Sequence, residues 1–141
     1  DMLCVNPPVV SALLNGKMAL VLQVCHTDSS PQVRKESVLL FAAVLECLPP
    51  QEWKPIASFM PIMLTVTQQF ESHEDELHEC LEAFVQVAGY APAAFQPHLD
   101  QVVPMMLTIS RARDHLLEGT RQMAFEFLVA MCENRKKMCA R

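Results

Sequence analysis

The chain has 141 residues, of which 51% are hydrophobic and 19% charged, a balance that fits one folded unit with a continuous apolar core and excludes a disordered tail. With only 3 Gly beside 10 Pro and 9 Met, it has few of the turn signals that many short strands require, so the composition favours helices. The net charge is −5, and no stretch has the roughly 18 apolar residues of a membrane span or the pattern of a secretory signal.

The first half of the chain predicts an incomplete unit followed by a complete one. We expect residues 8–26 to form the second helix of the incomplete unit. Ser30 then precedes Pro31, which is the usual order of a capping residue and a proline in the first helical turn, so a new helix should begin there. Prolines at positions 49 and 50 separate that helix from the next one.

The central unit repeats this plan of two helices. Apolar residues in its first helix are spaced by four, three, one and three positions and form one helical stripe: Leu77, Leu81, Phe84, Val85 and Ala88. Glu76, Glu79, Glu82 and Gln86 are expected on the outer face. The helix should end near Gly89 because Pro92 restricts the residue before it, and the second helix should run from about Phe95 to Ser110.

An internal repeat organises the whole sequence. When the chain is shifted by 43 residues, Phe41, Phe84 and Phe127 coincide. A single helical hairpin cannot bury both of its apolar stripes, so we expect the units to stack around one shared core. The predicted domain is one solenoid over residues 1–141, with a partial repeat at 1–27, repeats at 28–70 and 71–113, and a partial repeat at 114–141 that includes the opening of another helix at 135–141.

The repeats resemble HEAT repeats, since a period of about 40 to 47 residues is typical of HEAT and armadillo proteins. Their pattern is a proline-containing second helix, an acidic turn and a following arginine, as in Asp28 with Arg34 and, less regularly, Asp114 with Arg121. Glu71 is followed by Leu77 instead, so a continuous ladder of acid–arginine pairs is not expected. The predicted fold is an all-α HEAT-repeat superhelix of antiparallel helical hairpins. Because both ends cut through repeats, we expect the natural protein to be longer.

The last third of the chain carries a more specific family resemblance. Residues 117–129, LEGTRQMAFEFLV, and residues 95–99, FQPHL, resemble the karyopherin-β (importin-β) superfamily, and most of all its importin-5 or karyopherin-β3 branch. The resemblance implies a receptor that binds protein cargo for nucleocytoplasmic transport, with import as the expected direction. It further implies contacts with nucleoporins and the GTPase Ran through the full-length protein, and residence in both cytoplasm and nucleus. The alternative is a HEAT scaffold of another kind, such as a phosphatase regulatory subunit or a chromatin-associated scaffold.

An enzyme is not predicted. His73 and His78 belong to a stretch that resembles the zinc motif HExxH, but they are five residues apart and therefore point in different directions on a helix. His78 and Cys80 could join a metal site only with distant partners. No catalytic, cofactor-binding or metal-binding residue is predicted, and the six scattered cysteines are expected to be reduced thiols.

The charge pattern suggests one partner-binding surface. No Lys or Arg occurs in the 56 residues between Lys54 and Arg111, whereas seven acidic residues do. This argues against direct nucleic-acid binding, which needs clustered cations, and would suit a basic cargo segment. The candidate residues are Glu74, Asp75, Glu79 and Glu82. The alternative is that these carboxylates are simply the solvated face of a helix.

The second helices suggest another surface. Their positions opposite the expected core could line the concave side of the solenoid and form a groove for a partner segment. The candidate residues are Ser58, Ile62, Thr65, Gln69, Gln101, Met105 and Thr108. Among them, Ile62 and Met105 are expected to be exposed apolar residues. The alternative is that this face contacts the second helix of the adjacent repeat.

Overall fold

The computed structural model describes residues 23–47, 53, 57–70 and 72–134. In chain order the elements are α1 (Pro31–Cys47), α2 (Met60–Gln68), α3 (Glu74–Tyr90), a 3-10 helix (Pro92–His98), α4 (Leu99–Ser110) and α5 (Glu118–Glu133). The described residues contain no strand, and the predicted all-α architecture is confirmed. Of the helix predicted over residues 8–26, only the last four residues are described, and the helix opening predicted at 135–141 lies outside the described part.

The helices form two layers. Helices α1, α3 and α5 pack side by side and make up the first-helix layer, while α2 and α4 make up the second-helix layer. Helix α2 packs on α1, and α4 packs on α5. None of the described helices is both long and apolar enough to cross a membrane.

The core follows the 43-residue period. Phe41, Phe84 and Phe127 are all fully buried, as the sequence predicts. The Phe95 ring in the 3-10 helix packs in an edge-to-face manner with both Phe84 and Phe127, with ring centroids 6.0 Å and 4.9 Å apart. Because edge-to-face rings attract through their quadrupoles as well as by apolar burial, Phe95 joins the cores of successive repeats.

Local sequence signals account for most helix ends. Helix α1 begins at Pro31 and α3 ends one residue beyond Gly89, close to the predicted positions. Helix α4 begins at Leu99 instead of near Phe95 because the preceding segment is a 3-10 helix that contains Pro97. Proline lacks an N–H and disfavours the α conformation in the residue before it, so a regular α-helix starts only after that proline.

The cysteines differ from the prediction at one position. Cys25, Cys80 and Cys132 are free thiols, but Cys47 is disulfide-bonded, so the expectation of six free thiols is wrong for Cys47. Burial raises the pKa of the Cys80 thiol to about 12, so this cysteine remains protonated and unreactive at neutral pH.

Candidate partner-binding surfaces

A groove of about 480 Å³ lies along α2 and contains three of the predicted residues, Ile62, Thr65 and Gln69. Thr65 and Gln69 are exposed, whereas Ile62 is half-buried and packs against the core, so its predicted exposure holds only in part. Other described residues that line the groove are His26, Thr27, Arg34, Pro61 and Val66. The groove therefore offers an apolar floor with hydroxyl and amide groups at its edge. Ser58 is exposed just before α2.

Arg34 is held in place at one wall of the groove. Its Nη1 donates a hydrogen bond to the backbone oxygen of Asp28 at 3.1 Å, and its guanidinium lies 5.7 Å from the centre of the Phe70 ring. The carboxylate of Asp28 instead accepts a hydrogen bond from the backbone N–H of Ser30 at 2.9 Å. Arg34 thus contacts the backbone of Asp28, while the carboxylate of Asp28 accepts a hydrogen bond just before α1.

The second arginine of the HEAT-like pattern, Arg121, also binds a backbone carbonyl. The Nε atom of Arg121 donates to the backbone oxygen of Leu116 at 3.3 Å. In both turns the arginine satisfies a backbone carbonyl close to the start of a first helix. The arginine of this pattern therefore stabilises the turn itself.

Gln101 connects the two second helices. Its Nε2 atom donates to the backbone oxygen of Pro61 at 3.2 Å and contacts the Thr65 hydroxyl oxygen at 3.3 Å. This is the alternative considered for this face, a contact with the helix of the adjacent repeat. Gln101 therefore holds one wall of the α2 groove in position.

Met105 is buried, with 4% of its surface exposed, so its predicted exposure is wrong. It lines a small cavity of about 30 Å³ together with Leu77, Ile109 and Leu116. The sequence pattern predicts an open face for Met105 because a single apolar stripe indicates only one packing side of the helix. In the structure α4 also packs on α5, which requires a wider apolar stripe. Thr108 borders the same cavity and is exposed.

The four acidic candidates have different roles. Glu74 accepts hydrogen bonds from the backbone N–H of Leu117 and from the hydroxyl of Thr120, each at 2.7 Å, and so caps the start of α5. Glu79 accepts a hydrogen bond from the Lys35 ammonium group at 3.2 Å. Both therefore link neighbouring first helices, and of the four acidic candidates only Asp75 and Glu82 are exposed.

Lys35 makes a contact between first helices that the sequence pattern did not reveal. Its side chain is only 5% exposed and lies 3.2 Å from both Glu36 and Glu79. Burial alone would lower the pKa of Lys35, but its hydrogen bonds to Glu79 and Glu36 outweigh that effect and raise the pKa above its usual value. The amine is therefore charged at neutral pH and joins α1 to α3.

Two further contacts lie between the first helices. The Tyr90 hydroxyl donates to the backbone oxygen of Ala42 at 2.7 Å, and burial raises the pKa of this tyrosine. The Nδ1 atom of His78 lies 3.3 Å from the Thr120 hydroxyl oxygen. The residues in these side-chain contacts are about one repeat apart in sequence, so the 43-residue period was the signal that could have identified them.

No metal-binding constellation is present in the part of the chain that the structure describes, where no three His, Cys, Asp or Glu side chains form a suitable group. His78 contacts a hydroxyl group and Cys80 is buried. The surfaces of the described residues consist of grooves, hydrogen-bonding groups and exposed carboxylates, which are suited to binding a protein segment.

Comparison with known proteins identifies relatives of this chain. Residues 7–105 match the family model described as IPO5-like, TPR repeats. Importin subunit beta-3 from Saccharomyces cerevisiae is 25% identical over 135 residues, which cover 94% of this chain and 12% of that protein. The chain therefore spans about one eighth of the length of this curated relative.

Solved structures agree on the fold. Kap121p bound to Nup53p matches with a TM-score of 0.79 and 24% identity over 94% of this chain and 13% of that one. Kap121p bound to RanGTP matches with a TM-score of 0.75 and 23% identity over 96% of this chain and 14% of that one. The match to the family model covers more than half of the sequence, and the chain belongs to the importin-5-like branch of the karyopherin-β family, whose members are transport receptors and not enzymes.

Proposed function

We propose that the chain is a segment of a nuclear transport receptor that binds protein cargo for import under the control of Ran. The observation that carries this proposal is the family match over residues 7–105. Kap121p, a structural relative, has been solved bound to Nup53p, to Ste12p and to RanGTP. By analogy, we expect the full-length protein to bind protein cargo, nucleoporins and Ran, and to move between cytoplasm and nucleus. This favours a transport receptor over another kind of HEAT scaffold.

The α2 groove is the proposed place for direct cargo contact. Thr65 and Gln69 offer hydrogen-bonding groups beside the half-buried side chain of Ile62. A shallow apolar floor with polar edges suits an extended peptide, whose backbone and alternate side chains can use both kinds of group. Ser58 and Thr108 would extend this contact, while Gln101 acts by positioning α4 against α2.

The proposed role of α3 is to attract basic cargo. Asp75 and Glu82 are the exposed members of the predicted acidic set, since Glu74 and Glu79 accept hydrogen bonds from neighbouring helices. Exposed carboxylates act over about 8 Å at physiological ionic strength, so they should speed the encounter more than they strengthen the final complex. The same negative charge disfavours nucleic acid and anionic membrane surfaces as direct partners.

The full-length protein provides the test. Immobilised protein would be incubated with cytosolic extract, with and without Ran locked in its GTP form, and the captured proteins would be compared. We expect a set of proteins that is retained without Ran and released by GTP-locked Ran, whereas GDP-bound Ran should leave it in place. Capture that is indifferent to the nucleotide state of Ran would contradict the transport proposal and favour a scaffold.

A further inference from the structure

The α2 groove contains a cation that forms no ion pair with any carboxylate of the described residues. This cation is Arg34, which lines the groove and is half-buried. Both ion pairs found among the described residues belong to Lys35. The nearby Asp28 carboxylate accepts a hydrogen bond from the backbone N–H of Ser30. Because a half-buried guanidinium has lost part of its hydration, a carboxylate brought by a ligand would compensate this loss.

The guanidinium of Arg34 is held in place and still has donors for a ligand. One N–H of Nη1 donates to the backbone oxygen of Asp28, and the group lies against the Phe70 ring. The buried Nε has no hydrogen-bond partner among the described residues. Since a guanidinium has more N–H groups than this one contact uses, it can also donate to both oxygens of a carboxylate. A planar group that is already fixed loses little freedom when it binds.

The other residues of the groove suit the chain on either side of such a carboxylate. Ile62 and Val66 supply an apolar floor. The hydroxyls of Thr27 and Thr65 each donate to a backbone oxygen of their own segment, so toward a ligand their oxygens act as acceptors for backbone N–H groups. None of the described residues that line the groove is acidic. In an extended segment, side chains two positions apart point to the same side, so one can meet the floor and the other Arg34.

We propose that Arg34 makes the α2 groove selective for an extended protein segment with an Asp or Glu side chain facing the guanidinium and an apolar side chain two positions away. The inference rests on the cargo contact proposed for this groove and adds the chemistry of the segment that binds there. A lysine or arginine at the position facing Arg34 would be repelled, so the groove has the opposite charge preference from the exposed acids of α3. Because the groove lies along α2 and those acids lie on α3, different parts of one cargo can meet the two places.

Fluorescence anisotropy with the full-length protein provides the test. The probe is a short labelled peptide with the central sequence Val-Thr-Asp-Thr-Val and flanking serines, compared with versions in which Asn or Lys replaces Asp. We expect the Asp peptide to bind at least about tenfold more tightly than the Asn peptide, and the Lys peptide to bind most weakly. Since half-buried charges are screened less than exposed ones, the preference for Asp should persist at high salt.

Two variants with matched chemistry assign this preference to one residue. Arg34→Gln should remove the difference between the Asp and Asn peptides while the Asn peptide binds as before. Arg121→Gln is the control, because Arg121 also donates to a backbone oxygen near the start of a first helix but is not among the residues that line the groove. It should leave the preference for Asp unchanged. Circular dichroism would establish that both variants are folded, and the three peptides on the wild type give a result that needs no variant.

The selectivity of Arg34 is overturned if the wild type binds the Asn or Lys peptide as tightly as the Asp peptide. It is also overturned if folded Arg34→Gln keeps the preference for Asp, or if Arg121→Gln loses it. Equal binding of all three peptides would overturn the selectivity and leave the groove as a cargo contact, whereas no binding of any peptide would overturn both. The assay contains neither Ran nor cytosolic proteins, so the transport proposal is tested separately by the release of captured proteins.

Discussion

At the residue scale, the same type of side chain has opposite roles according to its position on the helix. Phe84 and Phe125 are both phenylalanines of first helices, yet Phe84 is fully buried and Phe125 is 60% exposed. Glu79 and Glu82 differ by less than one turn, but the first is hydrogen-bonded to Lys35 and the second is exposed. The rotation of each residue around its helix therefore decides whether it stabilises the stack or can meet a partner.

The first prediction concerns the shared core. Phe84→Ala should lower the free energy of unfolding by roughly 3 to 5 kcal/mol, because it leaves a cavity beside Phe95 and removes their ring contact. Phe125→Ala is the matched control and should change stability by less than about 0.5 kcal/mol. Urea denaturation followed by circular dichroism would measure both. Similar effects of the two substitutions would show that the buried face is assigned wrongly.

The second prediction concerns the charge contact between α1 and α3. Glu79→Gln should destabilise the protein by about 1 kcal/mol, since Lys35 is buried but Glu79 is partly exposed. Because the contact raises the pKa of Lys35, its stabilising effect is complete below the unfolded-state pKa of about 10.4 and is lost as the pH rises through the higher folded-state value.

A comparison of the wild type with Lys35→Met tests the direction of this pH dependence. The charge contact should contribute to the free energy of unfolding of the wild type at neutral pH, and this contribution should disappear in the alkaline range. Urea denaturation at increasing pH would measure it. If the wild type instead gains stability relative to Lys35→Met as the pH rises, the raised pKa of Lys35 is contradicted. Glu82→Gln is the control for general surface charge, because Glu82 is exposed on the same helix.

At the scale of helices, each first helix contributes polar groups that fix the position of the next first helix. Helix α3 contributes Glu74 to the start of α5, and α1 contributes Lys35 and the Ala42 carbonyl to α3. The second helices are joined differently, through Gln101 of α4 and the carbonyl of Pro61 in α2. Stacking is therefore fixed by specific polar contacts in addition to apolar burial.

The third prediction concerns the cap supplied by Glu74. Glu74→Ala should destabilise α5 by about 0.5 to 2 kcal/mol, because two donors at its start would lose their acceptor. Hydrogen exchange should show faster exchange at the Leu117 amide, while amides in the middle of α1 should change less. Asp75→Ala is the control from the same turn of α3. Unchanged exchange at Leu117 would show that Glu74 is not its cap.

The fourth prediction separates attraction of cargo from helix stacking. Asp75→Asn with Glu82→Gln should slow association of the full-length protein with a lysine-rich ligand at low salt, with a smaller effect at high salt. Stability should be nearly unchanged because both residues are exposed. Surface plasmon resonance over a salt series would measure the rates. If the wild type and the double variant associate at the same rate at low salt, these acidic residues are only a solvated helix face.

At the scale of the whole molecule, the 43-residue period corresponds to one structural repeat of the stack. The buried phenylalanines and the contacts between first helices both recur at about this separation, since equivalent positions must face equivalent neighbours in a stack. The proposed repeat boundaries at 28–70 and 71–113 stay a prediction.

The fifth prediction tests these boundaries by deletion in the full-length protein. Removing residues 71–113 should shorten the solenoid by one unit and retain folded, helical neighbours with reduced stability, because the joint then connects equivalent positions. Removing residues 71–110 should unfold the neighbouring repeats, because the following helix would enter with a different rotation. Limited proteolysis and circular dichroism would distinguish the two. Equal resistance of both variants would contradict the boundaries.

Several features could be determined from the sequence because they depend on local chemistry and on periodicity. The order Ser30–Pro31 predicted the start of α1, and the 43-residue shift predicted the equivalent burial of Phe41, Phe84 and Phe127. Together with the segment at 117–129, these patterns were sufficient for the fold class and for the resemblance to karyopherins. Helix periodicity carries this information because one face of each helix must be apolar to pack.

Only the tertiary structure decided which polar residues remain available to a partner. Periodicity predicts the angle of a side chain around its own helix, but it does not give the distance to a group on the next helix. Glu74 and Asp75 are adjacent in sequence, yet Glu74 lies 2.7 Å from two donors of α5 while Asp75 is exposed. Met105 is buried for a similar reason, since a second packing partner covers a face that a single helical stripe leaves open.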